Sequence, residues 1–279
     1  MNFVELDACV RSLHSEMIDF TSELVAIASE NPPGHAYPEC VRTIESRLRS
    51  LELPCEVVTY RPAKGMRDDS GAAVVLSGVG AGQRTLYFSG HYDVVPVTTP
   101  GQCTPVLKGK ALFGRGSADM KSGLASMLFA AAALQRVRMP LGGRVGLVFV
   151  PDEETGGHRG SGFLAATKRL GAHGIGMLTP EPTSGVVWNA NRGAITVRVT
   201  VHGREAHVGL LHQGRNAFED AIASSPACSA WRDAWLGVAR SSRSQGPPDP
   251  PTMTRVPRGV RAGLRCDSER LPAMSRMTS

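Results

Sequence analysis

The chain has 279 residues, enough for one large domain or two smaller ones, and 42% of them are hydrophobic, as in ordinary globular proteins. Its formal net charge is +6, but residues 224–279 contain nine of the 31 basic residues and only four of the 25 acidic ones. The preceding part is therefore close to neutral. This distribution argues against nucleic-acid binding, except through the tail.

The cysteines and the apolar stretches indicate in which cellular compartment the protein is expected. No two cysteines form a CxxC pair or a cluster with histidines at metal-ligand spacing, which favours free thiols in a reducing environment. The first 17 residues contain three acidic side chains and no apolar signal segment, and the longest apolar stretch, 123–134, is too short to span a bilayer. We therefore predict a cytoplasmic protein without a membrane partner.

Apolar spacing and turn residues predict the elements of the first part of the chain. Helices are expected where apolar residues recur every 3.6 positions, and strands where β-branched and aromatic residues cluster. The predicted helices cover 4–28, 38–51 and 124–134, and the predicted strands cover 55–60, 72–76, 84–88 and 141–150. Glycines at 78–82 resemble a phosphate loop, but they lead into a strand and not a helix, so they predict a hairpin turn.

A histidine and an aspartate follow the strand predicted over 84–88. His91 and Asp93 are two positions apart, so they lie on the same side of an extended segment. One could bind a metal while the other orients it, and ligands gather at the carboxyl ends of strands in open α/β sheets. Taken alone, the pair is weak evidence, because ordinary hydrogen bonding or surface chemistry explains most such pairs.

Three further turns contain acidic residues. Asp119 precedes an apolar helix, and taken alone it is better interpreted as an N-cap. Glu153 and Glu154 follow a buried strand, where a surface loop is the alternative, and Glu181 follows a short apolar run. One histidine and four carboxylates at successive strand ends of one mixed or parallel sheet favour a site for a hard or borderline divalent metal.

The pattern changes near residue 191. Alternation over 195–201 predicts a half-exposed antiparallel strand, and a helix is expected from about Asn216. We predict an α/β domain over 1–188 that contains this site, the start of a smaller domain over 189–223, and an Arg-, Pro- and Ser-rich tail over 224–279, which is expected to be disordered.

With these residues in place, the chain resembles the M20 family of metallopeptidases and deacylases. The family includes acetylornithine deacetylase, succinyl-diaminopimelate desuccinylase, aminoacylase and glutamate carboxypeptidase. The resemblance covers about 31–222, and several ordered motifs at suitable separations make it specific. The motifs are NPPG at 31–34, SGHYDVVP at 89–96, GRGSADMKSG at 114–123, PDEETGG at 151–157, EP at 181–182, GREAHVG at 203–209 and GRNA at 214–217.

The resemblance implies a zinc-peptidase-like α/β fold, with a mostly parallel mixed sheet flanked by helices and a small α/β lid that dimerises. It also implies two zinc ions, for which Co²⁺ or Mn²⁺ can substitute. His91 and Glu181 would hold one ion, Glu154 the other, and Asp119 would bridge them.

The remaining roles also follow from the resemblance. Asp93 would orient His91, and Glu153 would be the general base that activates water for attack on an amide carbonyl. His207 resembles the lid histidine that stabilises the oxyanion in the partner subunit, and a surface histidine in a turn is the alternative. The implied substrate is a dipeptide or an N-acyl amino acid.

The tail departs from the family pattern. The family's second metal takes a further histidine near the C-terminus, and residues 224–279 provide none, so we expect a truncation or a frameshift and an incomplete lid. Weak binding of the second zinc, little or no amidase activity and doubtful dimerisation follow. A non-catalytic remnant that binds metal or a partner is the alternative. Nucleic-acid binding through the tail is the least favoured hypothesis.

Overall fold

The computed structural model describes residues 3–62, 65, 67–170, 173–190 and 199–223. The chain divides into two units, Met1–Asn189 and Ala190–Ser279. A mixed sheet flanked by helices forms the first unit, so the predicted α/β class is confirmed. Among the described helices, none is long and apolar enough to cross a membrane.

The helices of the first unit agree closely with the apolar periodicity. The prolines and glycine at 32–34 separate the second helix from the third, because they interrupt helical hydrogen bonding. The helices are α1 (Phe3–Ser12), α2 (His14–Ala26), α3 (Tyr37–Ser50), α4 (Ser122–Arg136) and α5 (Ser161–Ala166).

Five strands form the main sheet and two form a separate hairpin. The strands are β1 (Glu56–Thr59), β2 (Ala73–Gly80), β3 (Thr85–His91), β4 (Val106–Lys108), β5 (Ala111–Phe113), β6 (Arg144–Val150) and β7 (Gly174–Leu178). The order in the main sheet is β1-β2-β6-β3-β7, and β4 pairs with β5. Strand β3 runs parallel to both β6 and β7, whereas β2 is antiparallel to β1 and β6.

Strand β6 shows why the sheet is covered on both faces. Val145, Leu147 and Phe149 belong to the large core formed with α2, α3 and α4. Val148 and Val150 point to the opposite face, where they pack with Leu164 of α5. A central strand buried on both faces reads as a nearly continuous apolar run, as this one does.

The hairpin predicted at 78–82 is wrong. Strand β2 continues to Gly80, and β6 lies between β2 and β3, so these two strands are not paired. A Cβ atom on Gly80 would lie 2.6 Å from the carbonyl oxygen of Gly143, and one on Gly78 would collide with the carbonyl of Val145. These glycines therefore allow close approach of the neighbouring backbone.

The second unit is described over a short range. Arg204 and Arg215 form an antiparallel bridge, a helical turn covers Val208–Gln213, and residues 217–223 are helical, as predicted from about Asn216. Most of the strand predicted over 195–201, and the whole tail from residue 224, lie outside the described residues.

Candidate metal centre

The parallel strands bring the predicted site residues to one edge of the sheet. His91 is the last residue of β3, Glu153 and Glu154 follow β6, and Glu181 follows β7. Because β3 pairs in parallel with both other strands, their carboxyl ends lie at the same edge. Such edges are where open α/β sheets bind ligands.

The ring of His91 is almost fully buried and contacts acidic groups through both nitrogens. Its Nδ1 lies 2.9 Å from the backbone oxygen of Asp93 and 3.4 Å from the carboxylate of that residue. Its Nε2 lies 3.2 Å from Asp119 Oδ1, 3.5 Å from Glu181 Oε1 and 3.9 Å from Glu153 Oε2. The Asp93 contacts orient the ring and direct Nε2 toward the other carboxylates.

Asp119 reaches His91 from a tight turn at Ser117–Lys121, after the β4–β5 hairpin and not after a strand of the main sheet. Its backbone angles, φ −119° and ψ 96°, are not helical. Helix α4 begins at Ser122, so the interpretation of Asp119 as its N-cap is wrong. The turn instead exposes the Asp119 carboxylate beside His91, with 55% of its side chain accessible.

The buried carboxylate of Asp93 connects the end of β3 to the turn after β6. Its Oδ1 accepts a hydrogen bond from the backbone N–H of Glu153 (3.2 Å), and its Oδ2 accepts one from that of Glu154 (3.1 Å). The amide of Asn31 donates a third, at 2.8 Å. One side chain therefore positions both the imidazole and the glutamate pair.

Burial and neighbouring negative charges raise the pKa of two carboxylates in the site. Burial raises the pKa of Glu181 to about 7, and the charges of Asp119 and Glu153 add to this effect while His91 opposes it. Burial also raises the pKa of Glu154. Carboxylates held together in this way resist losing their protons unless a cation compensates them.

Asp93 and His91 favour each other's charged forms. Burial lowers the pKa of His91, but the hydrogen bond and charge of Asp93, with the charges of Glu181 and Glu153, raise it to about 9. Burial raises the pKa of Asp93, but hydrogen bonds from His91 and Asn31 outweigh burial and lower it.

Ligand atoms of His91, Asp119 and Glu181 all lie within 4.8 Å of one another. No other group of three metal-binding side chains occurs in the part of the chain that the structure describes, and Glu154 is not a member of this one. One imidazole nitrogen and two carboxylates are a common ligand set for Zn²⁺ and related divalent ions. The donor set therefore fits a metal ion.

The model of peptidase family M20/M25/M40 matches residues 87–257, more than half of the chain. The chain belongs to this family. The match includes the site from His91 to Glu181 and extends well beyond residue 222, where the resemblance to the family motifs had been expected to end.

Curated relatives of this M20 family chain include succinyl-diaminopimelate desuccinylases. The protein of Cupriavidus taiwanensis is 29% identical over 214 residues, which cover 72% of the chain and 54% of the relative. That of Polynucleobacter necessarius is 30% identical over 229 residues, which cover 77% of the chain and 57% of the relative. The chain thus spans about half the length of these relatives.

Among solved structures, human carnosine dipeptidase 1 is similar with a TM-score of 0.54 and 19% identity. The similarity covers 64% of this chain and 41% of the human protein. At this identity the comparison supports the fold, and the fold agrees with family membership.

Two residues were not predicted as parts of the site. Asn31 lies in the NPPG motif, whose prolines and glycine separate α2 from α3, and its amide binds Asp93. Lys121 is fully buried at the end of the Asp119 turn, and its Nζ donates to the carbonyl oxygens of Leu24 and Ile27, each at 2.8 Å. Both residues lie in motifs that carry the resemblance to the family, NPPG at 31–34 and GRGSADMKSG at 114–123, and this was the sequence signal that could have identified them.

His207 belongs to the second unit. Its backbone is extended, and its Nδ1 accepts a hydrogen bond from the N–H of Gly209 at 3.1 Å. The residue is exposed. These contacts do not test the role predicted for His207, which is to stabilise the oxyanion in the partner subunit, so that role stays a prediction.

Proposed function

We propose that the chain is a metal-dependent hydrolase of amide bonds in dipeptides or N-acyl amino acids. The observation that carries the proposal is the imidazole of His91, whose Nε2 faces the carboxylates of Asp119 and Glu181 while Asp93 holds its other nitrogen. Family membership and the names of the relatives, a desuccinylase and a dipeptidase, support amide substrates.

The side chains divide into metal ligands and catalytic groups. His91, Asp119 and Glu181 would hold one ion, and Glu154 would contribute to a second that Asp119 bridges. Zn²⁺ is the ion we propose, with Co²⁺ or Mn²⁺ as substitutes. A divalent cation supplies Lewis acidity, which polarises a carbonyl and makes water more acidic.

Glu153 is the proposed general base. Its carboxylate lies 3.9 Å from His91 Nε2, and 55% of its side chain is exposed at the open side of the site. The backbone N–H of Glu153 donates to Asp93, and the Glu153 carboxylate takes no part in that bond. The bond therefore positions the residue and leaves its carboxylate available to accept a proton. It would accept the proton of the attacking water and return it to the leaving amine. His207 would stabilise the oxyanion.

Glu153→Gln should lower hydrolysis of N-succinyl amino acids and dipeptides by about 100-fold or more, because it removes the proton acceptor. Metal affinity, measured by competition with a chromophoric chelator, should remain close to that of the wild type. The exposed Glu39→Gln on α3 is the matched control and should retain activity. Undiminished hydrolysis in Glu153→Gln would assign the base elsewhere.

A second candidate is a non-catalytic protein that binds metal without turnover. Glu154, the proposed ligand of the second ion, lies outside the group formed by His91, Asp119 and Glu181 among the described residues. If the chain binds one metal ion and hydrolyses neither substrate class, this second candidate is correct.

A further inference from the structure

The backbone of Asn31 is fixed beside the segment that follows β3. Its N–H donates to the carbonyl oxygen of Val94 at 2.8 Å, and the N–H of Val94 donates to Ser29 at 3.0 Å. The hydroxyl of Ser29 also donates to the carbonyl oxygen of Tyr92, at 2.6 Å. Segments 29–31 and 92–94 therefore lie together, with Asp93 between the bonded positions.

The side chain of Asn31 is 3% exposed and reaches two parts of the site. Its Nδ2 donates to Asp93 Oδ2 at 2.8 Å and to Thr155 Oγ1 at 2.9 Å, and it lies 3.3 Å from Asp152 Oδ1. An amide nitrogen carries two hydrogens, so the two shorter bonds use them and the Asp152 contact is secondary. The amide thus joins the segment after β3 to the turn after β6.

The chemistry of the surroundings favours an amide at this position. Asp93 and Asp152 are both buried carboxylates, and Asp152 already has Arg159 at 3.2 Å and the hydroxyl of Thr155 at 2.6 Å as partners. An amide donates to Asp93 without adding another buried charge. An apolar side chain would remove one of the donors to a buried carboxylate, which is costly.

We propose that Asn31 is a positioning residue for the metal centre, acting through the carboxylate of Asp93. Asp93 contacts the ring of His91 and accepts the backbone N–H groups of Glu153 and Glu154. By holding this carboxylate, Asn31 sets the orientation of a metal-binding imidazole and the position of the general base together. The inference rests on the proposed function of the same site.

The test is the affinity of the full chain for Co²⁺, whose visible absorption reports the geometry of its ligands. Asn31→Leu has a similar size but no donor. It should weaken Co²⁺ binding by about tenfold or more and alter the absorption band, because the group that orients a metal ligand is released. Asn31→Asp is the second variant. Its ionised carboxylate would donate no hydrogen bond and would repel Asp93, so the Co²⁺ affinity should fall by a similar factor.

Ser29→Ala is the matched control. It removes a buried hydrogen bond from the same segment to the same strand end, but Ser29 bonds the backbone of Tyr92 and not Asp93. We expect it to lower the urea midpoint of unfolding while leaving the Co²⁺ spectrum and affinity unchanged. An equal loss of affinity in Ser29→Ala would show that Asn31 acts only through general stability, and would overturn the proposal.

The remaining outcomes separate this inference from the proposed function. Wild-type affinity and spectrum in either folded Asn31 variant would overturn the positioning role alone. A wild-type chain that binds Co²⁺ without hydrolysing amides would contradict the hydrolase proposal, while the Asn31 comparison would remain decisive. A wild-type chain that binds no Co²⁺ would overturn both.

Discussion

At the scale of single residues, Lys121 is a buried cation with specific partners. Its Nζ donates to the carbonyl oxygens of Leu24 and Ile27, at the C-terminal end of α2, where the helix dipole favours positive charge. Burial lowers the pKa of Lys121, and the nearby Cys40, Cys103, Asp93 and Glu39 only partly oppose this effect. These bonds also fix the turn that presents Asp119, because Lys121 is the last residue of that turn.

Lys121→Met should therefore destabilise the protein. Each bond from a charged donor contributes about 1.5–3 kcal/mol, and relief of the buried charge offsets part of the loss, so we expect a net decrease of about 1–3 kcal/mol. Urea unfolding measures it. The exposed Lys110→Met should change the free energy of unfolding by less than about 0.5 kcal/mol. If Lys121→Met were more stable than the wild type, desolvation would outweigh the hydrogen bonds.

The residues of the site differ in how well the sequence predicts them. His91, Asp119 and Glu181 were predicted to lie together, and they do, because ionisable side chains recur at several strand ends and turns, although each one alone has an ordinary structural explanation. Asn31 could not, because an asparagine before two prolines is equally explained as a helix stop. Its proposed positioning role depends on bonds to Asp93 and Thr155, which are distant in sequence.

At the scale of elements, the start of α4 packs closely against the segment after β7. A Cβ atom on Gly123 would lie 2.6 Å from the carbonyl oxygen of Pro180 and 2.9 Å from its ring. Because Pro180 precedes Glu181, the absence of a side chain at Gly123 lets this carboxylate come close to the Asp119 turn.

Gly123→Ala should weaken metal binding and lower stability. Alanine is favoured over glycine in a helix by about 1 kcal/mol, but a backbone oxygen cannot avoid the added carbon without moving the segment, which costs about 1–3 kcal/mol. We expect the steric cost to dominate and Glu181 to shift. Gly142→Ala is the control, because its Cβ would meet no atom within 4 Å. Unchanged metal affinity in Gly123→Ala, measured by isothermal titration, would contradict this account.

The positions of the helices and strands along the chain were largely predictable, whereas the order of the strands in the sheet was not. Helical periodicity and apolar runs are local properties, so α2, α3 and β6 were predicted close to their observed positions. The insertion of β6 between β2 and β3 depends on contacts across the sheet, and no local pattern at 78–82 records it. The interpretation of Asp119 as an N-cap was wrong for the same reason, because the backbone angles of its turn depend on bonds from Lys121 to α2.

At the scale of the whole molecule, the candidate metal centre brings together charged side chains from separate segments of the chain. In the described part of the chain, His91 is the single histidine in the group and two carboxylates complete it. A bound cation would counteract the burial and the neighbouring negative charges that together raise the pKa of Glu181. Metal binding should therefore be linked to folding stability.

We expect one tightly bound divalent ion per chain, and loss of thermal stability when a chelator removes it. Zn²⁺ at 100 times its dissociation constant should add about 2.7 kcal/mol to the free energy of unfolding. His91→Ala should abolish this stabilisation, and the exposed His35→Ala should retain it. Two equally tight ions, found by elemental analysis, would contradict the assignment of the stronger site to His91.

The hydrogen bonds of Asn31 have a kinetic consequence. They join residues 62 and 124 positions apart in the sequence, so the loops that they close are long. Such contacts exist only when helix α2, strand β3 and strand β6 have already come together. An ion held by groups that these contacts align is bound by the finished fold and not by its precursors. A bound ion would therefore mainly lower the unfolding rate, and it would raise the folding rate much less.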